Sequence, residues 1–212
     1  MKDKGCYYLV DTTQGSRDWH YMRKGRITAS RIGQIVGHSP FNDKSPEDLA
    51  KCIKGEMKEE FTPEARKRMD LGNEYEPKVR NMLAKKLNVK IKETGFAIWK
   101  KDMRFGASLD GIIDDDTGIE IKCPVKMYEP IKEYIKKKDF NSGKVDHIWK
   151  SQYDQVIANG VITGRKNMIF CVYAIDEKKM FYENVKVDYD YWNNFLYPEC
   201  CKFYDTYMKN EN

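Results

Sequence analysis

The stretch Ser108-Leu109-Asp110-Gly111-Ile112-Ile113, followed by Asp114-Asp115-Asp116-Thr117 and Gly118-Ile119-Glu120-Ile121-Lys122-Cys123-Pro124, decides how this chain folds. Phe105 to Ile113 and Gly118 to Cys123 read as strands, with β-branched and aromatic residues between turn formers. The Asp-Asp-Asp-Thr-Gly run between them is turn chemistry, so the strands are expected to form an antiparallel hairpin. Side chains alternate along a strand. Glu120 and Lys122 therefore share one face, and Ile119 and Ile121 share the other. The turn folds Asp110 back beside the charged face, while Asp114, Asp115 and Asp116 stay at the loop tip as turn residues.

Two carboxylates and an ammonium in a central strand are costly to bury unpaired. An exposed, salt-bridged hairpin would explain Glu-x-Lys without any chemistry. A hard divalent cation such as Mg2+ would explain the buried alternative, because it takes carboxylate, water and phosphate oxygens. Such an ion lowers the pKa of bound water and offsets charge on a phosphate, and a lysine on the same face would stabilise developing negative charge.

Outward from the hairpin, Gly95 to Lys100 reads as a third strand of this group. Upstream, Ile27, Ile32, Ile35 and Val36 mark a short helix with Thr28 as cap and Gly37 as stop. Ser45-Pro46-Glu47-Asp48 opens a second helix that ends near Gly55. Thr62-Pro63-Glu64 opens a third that runs towards Leu87, with a break expected at Pro77. Downstream, Pro130 to Lys137 and His147 to Asn159 read as helices. Met168 to Ile175 and Met180 to Val187 read as paired strands across Asp176-Glu177-Lys178. A helix from Tyr189 to Met208 closes the chain, its tyrosines forming a core-facing stripe. This order predicts an α/β fold with a mixed central sheet flanked by helices.

The 212 residues, 41% hydrophobic and 33% charged, fit one globular domain rather than a disordered chain. No apolar run reaches the ~20 residues that span a bilayer, and Met1 to Gly5 lacks a signal-peptide core, which predicts an intracellular protein with no membrane partner. The net charge of +5 suits a polyanionic partner without requiring one. Basic residues cluster at Arg17, Arg23, Lys24, Arg26 and Arg31, and again at Lys132 and Lys136-Lys137-Lys138. The six cysteines have no CxxC spacing and read as free, mostly buried thiols. His20, His38 and His147 lack metal-ligand spacing.

Four segments, in order, resemble the PD-(D/E)xK nuclease superfamily, and within it the lambda-exonuclease or YqaJ-like viral recombinase family. They are Trp19-His20-Tyr21-Met22-Arg23 with Ile27-Thr28-Ala29-Ser30; Leu71-Gly72-Asn73-Glu74-Tyr75-Glu76-Pro77; the Ser108-Leu109-Asp110-Gly111 and Gly118-to-Pro124 core; and Ser151-Gln152-Tyr153. Leu109 stands where the superfamily has proline, which is not a metal ligand. The resemblance implies a restriction-endonuclease-like core. It makes Asp110, Glu120, Lys122, Glu76 and Gln152 catalytic, with Asp110, Glu120, the Ile121 carbonyl and Glu76 holding Mg2+, for which Mn2+ substitutes. Glu74 is the alternative to Glu76. Arg23, Ser30 and Ser108 match phosphate- and DNA-end-binding positions, and Trp19 is either a packing anchor or an aromatic wedge at the DNA end.

The implied activity is 5′-to-3′ degradation of linear double-stranded DNA from its ends, leaving 3′ tails for recombination or repair. The implied partners are DNA ends, a single-strand annealing protein and further copies of the chain, as a trimer. The expected organisation is a nuclease core at about 62–187, an N-terminal DNA-end-binding segment at about 15–60 and a C-terminal helix at about 189–209. A structure- or sequence-selective endonuclease, or an inactive DNA-binding protein, would use the same core.

Overall fold

The computed structural model describes residues 1–39, 43–126 and 147–209. The hairpin forms as its turn chemistry requires. Strands β6 (Gly111–Ile112) and β7 (Thr117–Lys122) pair antiparallel, and Asp114 Oδ1 accepts from the backbone N–H groups of Asp116 and Thr117 at 2.9 and 2.7 Å. The expected strand from Phe105 to Ile113 is interrupted, however. Its first part is β5 (Phe105–Ala107), and Ser108, Leu109 and Asp110 leave the ladder before β6 begins. The break hands the chain from one sheet to another. A five-stranded sheet runs β1-β2-β4-β5-β3, and a four-stranded sheet runs β6-β7-β8-β9.

Strand β8 (Asn167–Ala174) lies parallel to β7, and β9 (Lys179–Lys186) returns antiparallel to it. Both match the sequence expectation. Three strands were not legible: β1 (Lys2–Asp3), β2 (Tyr7–Val10) and β3 (Ile27–Thr28). β2 pairs with β4 (Phe96–Trp99), and β3 lies parallel to β5. These short runs take their conformation from partners far along the chain, so no local pattern announces them.

Helix α1 (Arg17–Arg23) is capped by Ser16, and α2 (Ala29–Ile35) follows β3 directly. Thr28 stands at the N-cap of α2 but makes no side-chain capping bond, because its hydroxyl is engaged by Arg23 and Ser30. Helix α3 (Pro46–Lys54) has the predicted Ser45 cap and a left-handed Gly55 at its end. Helix α4 (Pro63–Leu87) is unbroken, contrary to the expected break at Pro77. Proline removes one backbone donor. The turns beyond it are anchored by buried Val79, Arg80 and Leu83, which outweighs that loss. Helix α5 (His147–Thr163) runs a full turn beyond Asn159, since Val161 and Ile162 are core residues. The expected helix at Pro130–Lys137 lies outside the described residues.

The C-terminal helical run, α6, comprises Tyr189–Tyr191, a π-turn at Trp192–Leu196, Tyr197–Phe203 and a second π-turn at Tyr204–Met208. Pro198, just after the first π-turn, lacks the N–H that an uninterrupted α pattern would use there. Tyr191, Tyr197, Tyr204 and Tyr207 pack against the core as expected, whereas Tyr189 is exposed.

The alternation of β8 builds two cores. Met168, Phe170, Val172 and Ala174 face the larger one, beneath α5 and α6. Ile169, Cys171 and Tyr173 face a smaller one with Ile119, Ile121, Val79 and Leu83 of α4. Helix α2 lies so close to α5 that a Cβ at Gly33 would stand 2.5 Å from Ser151 Cβ. All six cysteines are free; Cys171 and Cys200 are buried, Cys6 is exposed, and the others are half-buried. Among the described residues no helix is long and apolar enough to cross a membrane.

Candidate active site

Where the strand breaks, Asp110 turns inward. Its backbone N–H donates to the Ile119 carbonyl at 3.1 Å, and its Oδ2 accepts from the Ile121 N–H at 2.6 Å. This pins the carboxylate against the edge of β7. Glu120 is 2% exposed. Its Oε1 accepts from Lys122 Nζ and from Gln155 Nε2, both at 2.7 Å, and its Oε2 accepts from Asn159 Nδ2 at 2.8 Å. Gln155 Oε1 accepts from Lys122 Nζ at 2.9 Å, so one amide bridges the acid and the lysine. These bonds offset the cost of burying Glu120.

Glu76 reaches the same cavity from α4, held by Arg80 Nη2 at 2.8 Å. Arg80 also pairs with Glu93. Glu74, the alternative acid, is exposed and pairs with Lys78.

A second set of side chains closes the cavity. Trp19 Nε1 donates to Ser108 Oγ at 2.7 Å. The Arg23 guanidinium stacks 4.1 Å above the Trp19 ring and donates to Ser30 Oγ at 3.1 Å and Thr28 Oγ1 at 3.3 Å. The enclosed space is about 480 Å³ and is bounded by Trp19, Arg23, Ser30, Glu76 and Ser108 together with Asp110, Glu120, Ile121, Lys122, Gln155 and Asn159.

The electrostatics are those of crowded carboxylates. Burial raises the Asp110 pKa well above the usual range, and the neighbouring Glu120 and Glu76 charges add to this. Burial also raises Glu76, against the pull of Arg80. For Lys122 burial acts against the charge, but Glu120 and Asp110 outweigh it and lift its pKa. The Cys123 thiol at the cavity wall is pushed up to about 12 by burial and by Glu76.

The donors are oxygens, two of the three carboxylates are buried, and their mutual repulsion favours a cation. That chemistry fits a hard divalent ion. Among the described residues no three acidic, histidine or cysteine side chains already form a cage. Asp110 and Glu120 would hold the ion and Glu76 would approach from α4.

The structure thus gathers every sequence-predicted site residue around one cavity except Gln152. That residue lies on α5 but does not line the cavity, and its Oε1 is buried with no hydrogen-bond partner among the described residues. Gln155 and Asn159 take the place expected of it. Gln152 lies on a similar side of the helix but about one turn earlier, roughly 4.5 Å along the axis from Gln155 and about 10 Å from Asn159, which carries it past the cavity. The signal for this pair was present: two amides spaced i, i+4 in the otherwise apolar stretch from Gln155 to Ile162. His38, read as a non-ligand, bonds the fully buried Asp154 at 2.8 Å, and Asp154 also accepts from Tyr191 at the same distance.

Loss of Asn159 tests this arrangement. Asn159→Ala strips Oε2 of Glu120 of its donor, and cleavage is expected to fall about 10–100-fold, as for other residues that orient a ligand. A single-turnover assay reads this directly; an unchanged rate would remove Asn159 from the site.

Such a hairpin, with a buried acid pair and lysine in a mixed sheet between helices, defines a restriction-endonuclease-like nuclease core. Solved structures share the fold. An alkaline exonuclease from Laribacter hongkongensis, LHK-Exo, superposes with a TM-score of 0.68 at 23% identity, covering 91% of this chain and 93% of that one. Its complex with dAMP gives the same values. A phage-related exonuclease from Haemophilus somnus 129PT matches with a TM-score of 0.61 at 12% identity, covering 89% and 97%. No curated protein sequence matches the chain. The YqaJ-like viral recombinase domain matches residues 18–166, and the chain belongs to that family. It is accordingly a hydrolytic nuclease acting on DNA, of a family whose members imply a divalent-metal cofactor.

Proposed function

We propose that the protein is a Mg2+-dependent exonuclease that enters linear duplex DNA at its ends and degrades one strand from 5′ to 3′. The observation that carries this is the shared cavity: Arg23, Ser30 and Ser108 stand opposite Asp110, Glu120 and Lys122. The first group suits a terminal phosphate and the second suits the scissile one. A solved relative by fold, LHK-Exo, is described in complex with dAMP, which supports a mononucleotide-sized product.

The roles follow from the contacts. Arg23 presents a planar fork to a phosphate. Ser108 Oγ accepts from Trp19, which leaves its own O–H to donate. Trp19 holds both grips, by its ring face and its N–H. Lys122, fixed between Glu120 and Gln155, points its ammonium at developing charge on the scissile phosphate or at the attacking water. When bound, the divalent ion neutralises phosphate charge and makes a water more acidic. The 3′ tail would feed an annealing partner, and a trimeric ring would keep the enzyme on its substrate. The N-terminal segment at about 15–60 would grip the end, and the core at about 62–187 would cut.

Digestion of matched DNA substrates tests the reading. Linear duplex with a 5′-phosphate should be degraded in Mg2+ faster than the dephosphorylated form, and closed circles should survive. Chelation should stop the reaction. Equal loss of circular and linear DNA would establish an endonuclease instead.

A further inference from the structure

Behind Arg23 lies a second cavity, of about 260 Å³, whose wall includes Arg23, Lys24, Thr28, Arg26, Arg31 and Glu59. It holds four permanent cations against one carboxylate. Glu59 is already taken by Arg31, which pairs with it through both guanidinium nitrogens. Arg26 donates only to the carbonyls of Met22 and Met103, and Lys24 has no ion-pair partner among the described residues. The Lys24 stem lies over Gly55, where a Cβ would come within 2.7 Å of its Cε. The left-handed glycine that ends α3 therefore also seats this lysine at the cavity.

Partial burial and the neighbouring Arg31 lower the Arg23 pKa to about 10. Four positive charges against the single Glu59 carboxylate repel one another, and an anion would relieve them. The space holds a phosphate group with its water.

The position of the cavity says whose phosphate. Arg23 is the partition between this cavity and the catalytic one, since it lines both. Arg23 bonds Ser30, which lines the catalytic cavity alone, and shares the wall of the basic cavity with Lys24, Arg26 and Arg31. Successive phosphates of one strand lie about as far apart as an arginine side chain is long. We propose that the basic cavity takes the 5′-terminal phosphate of a strand that overhangs by one nucleotide, Arg23 then holding the next phosphate along, so that the protein binds an unpaired 5′ overhang as well as a flush end whose own terminal phosphate sits at Arg23. This rests on the assignment of the 5′-terminal phosphate to Arg23.

The test is equilibrium binding by fluorescence anisotropy in EDTA, where no strand is cut. The probes are duplexes with a flush 5′-phosphorylated end, a short unpaired 5′ overhang or a 3′ overhang. The wild type is expected to bind the 5′ overhang about tenfold tighter than the flush end, the worth of one charge-assisted contact. Lys24→Glu should abolish that gain while leaving flush-end affinity within about twofold, and Glu59→Gln should enlarge it by freeing Arg31. The proposal is overturned if the wild type shows no gain, if a 3′ overhang gives the same gain, or if Lys24→Glu weakens flush and overhanging ends equally. Saturation of the cavity by inorganic phosphate, with no overhang gain, would also overturn it in favour of a free-anion site. Failure of the underlying reading is seen separately: flush-end affinity would then ignore removal of the 5′-phosphate.

Discussion

Replacing Lys122 with alanine is expected to slow phosphodiester cleavage by about 10²–10³-fold, the usual cost of removing one preorganised donor from a developing oxyanion. DNA binding should change little, because Arg23, Ser30 and Ser108 stand on other elements. The effect should fall on kcat rather than KM, since Lys122 Nζ is already held by Glu120 and Gln155 and is aimed before substrate arrives. Lys122→Arg should not rescue the rate. A planar guanidinium cannot take the ammonium's place between a carboxylate and an amide without displacing one of them. Single-turnover cleavage on a linear duplex, with circular dichroism to verify folding, reads the outcome. A residual rate within a few-fold of wild type would refute the role given to Lys122.

The second large effect is on stability. Trp192 is fully buried and sits among aromatic rings: Trp99 and Phe105 meet it edge-on at 5.7 and 5.8 Å, and Tyr197 stacks at 5.9 Å. Trp192→Ala would empty this cluster and should cost about 3–5 kcal/mol. In a protein of this size that lowers the melting temperature by about 10 °C. Trp192→Phe should cost much less. It keeps most of the ring contact and removes an indole N–H that has no hydrogen-bond partner among the described residues. Thermal melts of the two variants test both statements. A small loss for the alanine variant would mean that the cluster collapses around the gap.

Much of the site was legible because its signal is local. Asp110, Glu120 and Lys122 fall within one hairpin, where a period of two and a turn suffice to bring them together. Ser45 and Thr62 announce their helices through bonds made three residues away. Gln155 and Asn159 escaped because which turn of α5 stands over Glu120 is set by packing against α2 and the sheet, not by any local pattern. Pro77 misled for a related reason: its local penalty is real, but the buried face of the following turns decides. The interruption at Ser108 to Asp110 is marked only by Ser108, Asp110 and Gly111, which an extended reading of the run from Phe105 to Ile113 absorbs, and it is the feature that aims Asp110.

The parallel pairings carry a consequence for how the protein is made. β3, just before Ser30, pairs with β5 alone among the described residues, and β7 gains its parallel neighbour β8 only after α5 has been laid down. Such non-local ladders form late, since a long loop must close before any contact compensates for it. On the ribosome, a nascent chain that ends before Gln155 has Glu120 without either of its amides. The destructive chemistry thus waits until α5 and β8 have been laid down, a delay written into the order of the strands.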